Sequence, residues 1–258
     1  MELLKFKTET SDLKKLGQVR LNLLIGCMHS HNELAVLNRL LLFAQNETAQ
    51  GEAYASVKAI QVWTYLQIVI GKLFETWIML KERLLDNAEQ AELITSLTEK
   101  QKESLSWLTN YFGRNPLKKS PLKIIRDKTG FHYDGMDLGQ VLNKIPESEQ
   151  EVYLARHPAN TTYVVGSMTV FRAAFSLVAQ ECGLAGEVDI VRAGMLKVMD
   201  DTKEVNLLMH DVLYGLIKHL LETAKGGDLG DPAMVIAVED VPTPDQIGIP
   251  CVIKIGKE

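Results

Sequence analysis

Residues 114–134 hold the side chains of this chain that are best suited to bind and cleave a phosphodiester. Arg126 keeps its proton at every physiological pH, and its planar guanidinium matches the oxygens of a phosphate. His132 follows six residues later, and an imidazole exchanges protons near neutral pH. Between residues 114 and 128 only Asp127 opposes six cations, a local net charge of +5 in a chain of net charge −5. The cations are Arg114, Lys118, Lys119, Lys123, Arg126 and Lys128. The pattern predicts an anion site with a proton-transfer group, the alternative being a solvated loop and helix start.

The segment SPLKIIRDKTGFHYD, residues 120–134, resembles the motif region of the HEPN superfamily (higher eukaryotes and prokaryotes nucleotide-binding). The family motif is Arg-x4-6-His, here Arg126 to His132. The residues around it are similar to those of a bacterial branch whose members are mostly uncharacterised. The resemblance implies a helical bundle that forms a homodimer. Many catalytic members are metal-independent endoribonucleases of toxin–antitoxin, abortive-infection and antiviral systems, and other members bind or scaffold without activity. RNA and an antitoxin or other protein are therefore the implied partners.

The resemblance also implies roles for individual residues. The RNA 2′-OH would attack the neighbouring phosphorus, with His132 as acid and base and Arg126 stabilising the phosphorane. Asp127 would orient one of these side chains, and Glu75 and Tyr133 are supporting candidates, although Tyr133 is expected to pack rather than react. No metal or cofactor is needed for this reaction. The residues expected to hold flanking phosphates are Lys118, Lys119, Lys123, Lys128 and Arg114.

Geometry keeps a second interpretation of the motif open. On a continuous α-helix Arg126 and His132 would lie about 240° apart, so a break at Gly130 or a two-fold dimer is needed to bring them together. In the alternative, His132 is a partly buried histidine with local hydrogen bonds and Arg126 forms a surface ion pair. The chain would then be a non-catalytic HEPN-like module that binds a protein, a nucleotide or RNA.

Other ligand-type side chains do not form a recognisable metal site. Cys27, His29 and His31 alternate along one segment, but no second Cys/His cluster completes the three or four ligands that zinc requires. The three cysteines are widely spaced and odd in number, which disfavours disulfides and indicates a reducing cytoplasm. The first residues lack an apolar signal-peptide core, and no apolar run of about 18 residues occurs, so a membrane protein is not expected.

The elements that must position the motif are predicted to be mainly α-helical. No proline precedes Pro116, and an apolar stripe over residues 54–85 predicts a long central helix of about 48 Å. Thr10-Ser11-Asp12 predicts a helix start, and Ser120-Pro121 predicts an N-cap followed by the first helical residue. Further predicted helices cover residues 33–44, 98–112, 138–145, 149–155, 162–181 and 187–223.

The character of the chain changes after residue 225. The segments MVIAV and IPCVIKI are strand-like and are separated by a proline-rich link. The sequence therefore predicts a helical bundle domain over residues 1–225 and an extended β appendage over residues 226–258 that packs on the bundle.

Overall fold

A computed structural model of the chain describes residues 2–46, 51–113, 120–130, 136–156, 158–237, 242–243 and 246–253. Within these ranges the chain is mostly helical with short strands, which confirms the mainly α fold class. The α-helices are α1 (Thr10–Lys14), α2 (Gly17–Gln45), α3 (Glu52–Leu80), α4 (Ala91–Ser96), α5 (Glu99–Phe112), α6 (Pro121–Ile125), α7 (Leu138–Leu142), α8 (Val164–Glu181) and α9 (Ile190–Lys225). None of the described helices is long and apolar enough to cross a bilayer.

The helix start predicted at Thr10-Ser11-Asp12 is observed, but its side-chain cap is not formed, because Thr10 is already helical and Glu9 occupies the N-cap without a side-chain cap hydrogen bond.

The ends of α5 and the start of α6 are capped. Thr98 caps α5 in a reciprocal capping box with Gln101, and Gly113 ends the helix with φ of 73°, a conformation that favours glycine. At α6 the Ser120 hydroxyl accepts a hydrogen bond from the Lys123 backbone N–H at 3.3 Å, and Pro121 is the first helical residue. Local interactions of this kind fix where both helices begin.

The long helices agree with the apolar periodicity. The predicted helix over residues 54–85 corresponds to α3 followed by a π-helical turn at Lys81–Leu85. The predicted helix start at residues 10–12 corresponds to α1, and the predicted helix over residues 33–44 is the second part of the single helix α2. The predicted helix at 187–223 corresponds to α9, with bounds that differ by two or three residues.

The chain divides into two compact units, each assembled from distant segments. The first contains Met1–Ala35, Lys72–Lys118 and Glu204–Pro242. In its core the Phe112 ring stacks on Trp77 with 5.2 Å between centroids. Helix α5 is joined to α9 by the Ser104 hydroxyl, which donates to the Asp211 carboxylate at 2.9 Å.

The second unit contains Val36–Gly71, Lys119–Lys203 and Thr243–Glu258. The buried indole of Trp63, on α3, meets the edges of Phe171 and Phe175, on α8, at centroid distances of 4.8 and 4.5 Å. Helix α8 also contacts α6 and α7. It therefore supports the short helix that carries Arg126. The expected boundary after residue 225 stays a prediction.

Within the described residues, four short strands form two antiparallel pairs. Strand β1 (Glu2–Lys5) pairs with β4 (Met234–Ala237), with Leu3 opposite Ile236, and β2 (Val152–Tyr153) pairs with β3 (Thr162–Tyr163). The predicted helix at 149–155 is wrong. A 3-10 turn at Glu147–Glu149 precedes β2, whose residues have high β propensity and find a partner in β3. For the same reason the predicted helix at 162–181 begins only at Val164.

The second strand-like segment near the C-terminus is not a strand in its described part, residues 249–253. The Ile249 N–H donates to the Phe43 carbonyl at the end of α2, at 3.3 Å. The Asn160 side chain donates to the Ile253 carbonyl at 2.6 Å and accepts from the Ile253 N–H at 3.2 Å. An amide side chain therefore takes the place of the neighbouring strand that this segment was expected to have.

Candidate functional site

Arg126 lies on the polar side of a short amphipathic helix. Leu122 and Ile125 are fully buried, and Ile124 and Thr129 are 7% and 3% exposed, so these four positions face the core. The Arg126 side chain is 29% exposed. The apolar residues of α6 thus fix the helix within the second unit and leave the Arg126 side chain partly exposed.

The helix changes its winding at Arg126. Residues Arg126–Gly130 form a π-helical turn, in which each hydrogen bond spans one more residue than in an α-helix. The Thr129 hydroxyl donates to the Ile125 carbonyl at 2.8 Å, and Gln67 of α3 donates to the Thr129 carbonyl at 3.2 Å. Side chains therefore satisfy carbonyls around the altered turn, whose last described residue is Gly130. The break considered at Gly130 stays a prediction, because residues 131–135 lie outside the described residues.

Three charged groups cluster on this helix. The Asp127 carboxylate forms an ion pair with Lys123, one helical turn earlier, and its other oxygen lies 3.4 Å from Nη1 of Arg126. The side chains of Lys123, Arg126 and Asp127 are 22%, 29% and 35% exposed. One carboxylate is thus shared between two cations of the same helix.

The structure describes only some of the predicted site residues. His132, Tyr133, Arg114, Lys118 and Lys119 lie outside the described residues, so their predicted roles stay predictions. Glu75 is exposed on α3 and belongs to the first unit, whereas Arg126 belongs to the second. The supporting role of Glu75 also stays a prediction.

A salt bridge joins Arg172 of α8 to Glu149 in the 3-10 turn before β2. Arg172 donates two hydrogen bonds of 2.6 Å to the two carboxylate oxygens of Glu149. These bonds, together with the charges of Glu149 and Asp189, raise the pKa of Arg172 above its ordinary value. This bidentate salt bridge fixes the 3-10 turn before β2 to α8, the helix that also contacts α6.

A contact between two histidines in the first unit was not predicted. The ring of His31 on α2 meets that of His210 on α9 edge-to-face, with centroids 4.6 Å apart. Burial lowers the pKa of both histidines below 6.5, and the charge of His31 lowers that of His210 further. No periodicity links residues on separate helices, so only the tertiary fold could reveal this pair.

Cys27 and His29, the other potential metal ligands close to His31 in sequence, lie in environments different from that of His31. Cys27 is fully buried, and burial raises its thiol pKa to about 12 despite the charge of Arg83. His29 is 70% exposed, and its Nε2 lies 3.0 Å from Oε2 of Glu33, which also pairs with Lys72. Within the described part of the chain, no three His, Cys, Asp or Glu side chains are grouped to hold a metal ion.

No protein-family model, curated protein or solved structure matches this chain.

Proposed function

We propose that this chain is a metal-independent endoribonuclease of the HEPN type, in which Arg126 and His132 act on the scissile phosphate. The observation that carries the proposal is the partial exposure of the Arg126 side chain, next to a helix that is largely buried. In the sequence, His132 follows two residues after the π-helical turn ends at Gly130. The proposal further rests on the resemblance of residues 120–134 to the HEPN motif.

The proposed reaction uses only groups of the RNA and of the protein. The 2′-oxygen attacks the adjacent phosphorus and gives up its proton, while the bond from phosphorus to the 5′-oxygen breaks and that oxygen gains a proton. His132 is the group proposed to transfer these protons, and the products are a 2′,3′-cyclic phosphate and a 5′-hydroxyl. Arg126 stabilises the charge that builds up on the phosphorane oxygens.

Asp127 is proposed to position Arg126 rather than to exchange protons. Its carboxylate already contacts both Arg126 and Lys123, and such a neighbour limits the directions in which the guanidinium can point. An incoming phosphate would compete with Asp127 for the same cations. Substrate binding should therefore be sensitive to salt concentration.

The test is RNA cleavage in the presence of EDTA, with the product ends identified by their cyclic phosphate. His132→Ala is expected to lower the cleavage rate by about 10²–10⁴-fold and Arg126→Ala by about 10²–10³-fold, because each removes a group that acts in the transition state. The matched controls are His29→Ala and Arg156→Ala, which replace exposed residues on other elements. Equal cleavage by wild type and His132→Ala would overturn the proposal.

The second candidate is a non-catalytic HEPN-like module that binds RNA, a nucleotide or a protein. The observation in its favour is that Asp127 pairs with two cations of the helix, an arrangement that also serves as a surface ion-pair cluster. Binding of RNA without formation of cyclic-phosphate ends by the wild-type protein would select this candidate. An Arg126→Ala variant would then weaken binding without changing any product.

A further inference from the structure

One histidine from each of two long helices takes part in a single contact within the first unit. His31 belongs to α2 and His210 to α9, and both side chains are partly buried. Their ring centroids are 4.6 Å apart and their planes are inclined by 86°, so the edge of one imidazole meets the other ring. The contact therefore joins α2 to α9 through two groups that can each take up a proton near neutral pH.

The charge state of the two rings decides whether this contact is favourable. With both rings neutral, an edge-to-face arrangement of two aromatic rings is attractive. With both rings protonated, two positive charges would be centred 4.6 Å apart at a place that water reaches only in part, and like charges at such a distance repel. Separation of the two helices would relieve this repulsion and return both imidazolium groups to water.

The carboxylate next to His210 is engaged with α5. Asp211 follows His210 on α9, and the two side chains point about 100° apart on an α-helix. The Asp211 carboxylate accepts a hydrogen bond from the Ser104 hydroxyl at 2.9 Å, and its other oxygen lies 3.9 Å from Nζ of Lys100. This negative charge is therefore directed to α5 rather than to the contact between the histidines.

The charges closest to His31 in sequence lie on another side of α2. His29 and Glu33, two positions before and after His31, are each about 200° from it around an α-helix. Nε2 of His29 lies 3.0 Å from Oε2 of Glu33, and the same carboxylate pairs with Lys72 of α3. Glu33 therefore serves His29 and Lys72.

The ionisable side chains one helical turn from the rings are a thiol and a phenol, neither of which can become a cation. Cys27 precedes His31 on α2, and burial raises the pKa of its thiol to about 12 despite the charge of Arg83. Tyr214 follows His210 on α9. The surroundings as a whole disfavour charged imidazoles, because burial lowers the pKa of both rings.

We propose that His31 and His210 form a proton-operated latch, in which protonation of both rings separates α2 from α9 within the first unit. At neutral pH the uncharged rings keep the two helices in contact. In acid the open form binds more protons than the closed form, so proton uptake favours opening. Both rings belong to the first unit, and neither belongs to the proposed nuclease site, so the latch is independent of the proposed function.

Hydrogen exchange of backbone amides tests the latch in the full chain. The opening constant of a segment is its exchange rate divided by that of the unstructured chain, and the slope of its logarithm against pH counts the protons taken up on opening. Between about pH 7.5 and pH 5, the opening constant around His31 and His210 should rise at its steepest by more than about 10-fold per pH unit, because two groups titrate. Helix α8, in the second unit, should keep its opening constant.

Substitutions in the pair should reduce the number of protons that opening takes up. His31→Gln leaves one titrating ring, so the opening constant should rise by no more than about 10-fold per pH unit, and the pKa of His210 should move up because a like charge is removed. His210→Gln should give the same reduced slope. His219→Gln, on the same helix α9, is the matched control and should keep the wild-type slope. Circular dichroism checks folding, and if one pair variant fails to fold, the other decides.

Three results would refute the latch. The first is a nuclear Overhauser contact between the rings of His31 and His210 that persists at a pH where both rings are protonated. The second is a slope that is the same in wild type and in the pair variants. The third is a parallel loss of protection in α8, because the chain would then unfold as a whole instead of opening at the contact between α2 and α9.

Discussion

The Asp127 carboxylate is one of the groups that contact the Arg126 guanidinium. Asp127 contacts Arg126 and Lys123 together, so two of the cations that the sequence assigns to a phosphate are already paired within their own helix. Partly exposed pairs of this kind contribute little to folding stability. Exchange of this carboxylate for a phosphate of the proposed RNA substrate would therefore cost little.

The histidine pair leads to a prediction on stability. Burial lowers the pKa of His31 and His210, so the unfolded chain takes up protons at a pH where the folded chain does not. The free energy of unfolding should be greatest above the ordinary histidine pKa of about 6.5 and fall as the pH drops below it. The urea concentration at the unfolding midpoint, measured by circular dichroism, should decrease as the pH is lowered from about 7.5 to about 5.

Replacing one ring identifies the source of this pH dependence. His210→Gln should make the urea midpoint less dependent on pH, because it removes one histidine and its contact with the other. His219→Gln, on the same helix α9, leaves the pair intact and should behave as wild type does. A wild-type midpoint that stays constant over this range would contradict the assignment.

At the scale of elements, the helix that carries Arg126 is not a uniform α-helix. The expected separation of about 240° between Arg126 and His132 assumed α-helical steps of about 100°. The π-helical turn at Arg126–Gly130 has smaller steps, so the assumption does not hold for these residues. Within this turn the Thr129 hydroxyl donates to the Ile125 carbonyl.

The packing of α8 against α9 depends on a glycine. A Cβ at Gly194 would collide with the backbone carbonyl of Phe175, and neither backbone can move as freely as a side chain. Gly194→Ala should therefore lower the free energy of unfolding by about 1–3 kcal/mol. Urea denaturation followed by circular dichroism measures the change.

A second glycine provides the matched control for this substitution. Gly166 also lies in a helix, and no atom is within 4 Å of the Cβ that an alanine would add. Gly166→Ala should raise the free energy of unfolding, by up to about 1 kcal/mol, because alanine has less conformational entropy to lose. Equal effects of the two substitutions would show that the helices do not approach each other closely at Gly194.

At the scale of the whole molecule, the two compact units are not successive segments of the chain. Helices α2, α3 and α9 each contribute residues to both units, with the divisions after Ala35, Gly71 and Lys203. Each unit is therefore assembled from distant parts of the sequence, and so is a strand pair. Strand β1, at the start of the chain, pairs with β4, more than 200 residues later.

The proposed function predicts a homodimer, because the HEPN resemblance implies two copies around one cleft. Sedimentation equilibrium should give twice the chain mass of 28.8 kDa. If the dimer completes the site, the cleavage rate per chain should also fall on dilution to concentrations at which the mass decreases to that of one chain. A monomer with full cleavage activity at every concentration would contradict the homodimer.

The sequence by itself determined the elements that depend on nearby residues. The start of α6 at Ser120-Pro121 and the approximate extents of α3 and α5 follow from a cap and from apolar spacing, which act over a few residues. For the candidate site, the sequence provided the residue types and their order. The pairing of Asp127 with Lys123 is also local, since the two residues are four positions apart on one helix.

Only the tertiary structure decided the features that join distant segments. The β2–β3 pair replaced a predicted helix because two β-prone segments found each other, and Asn160 bound Ile253 where a strand partner was expected. The contact of His31 with His210 and the close approach at Gly194 likewise join separate helices. Such contacts depend on how the helices pack, and the spacing of residues within any one segment does not contain that information.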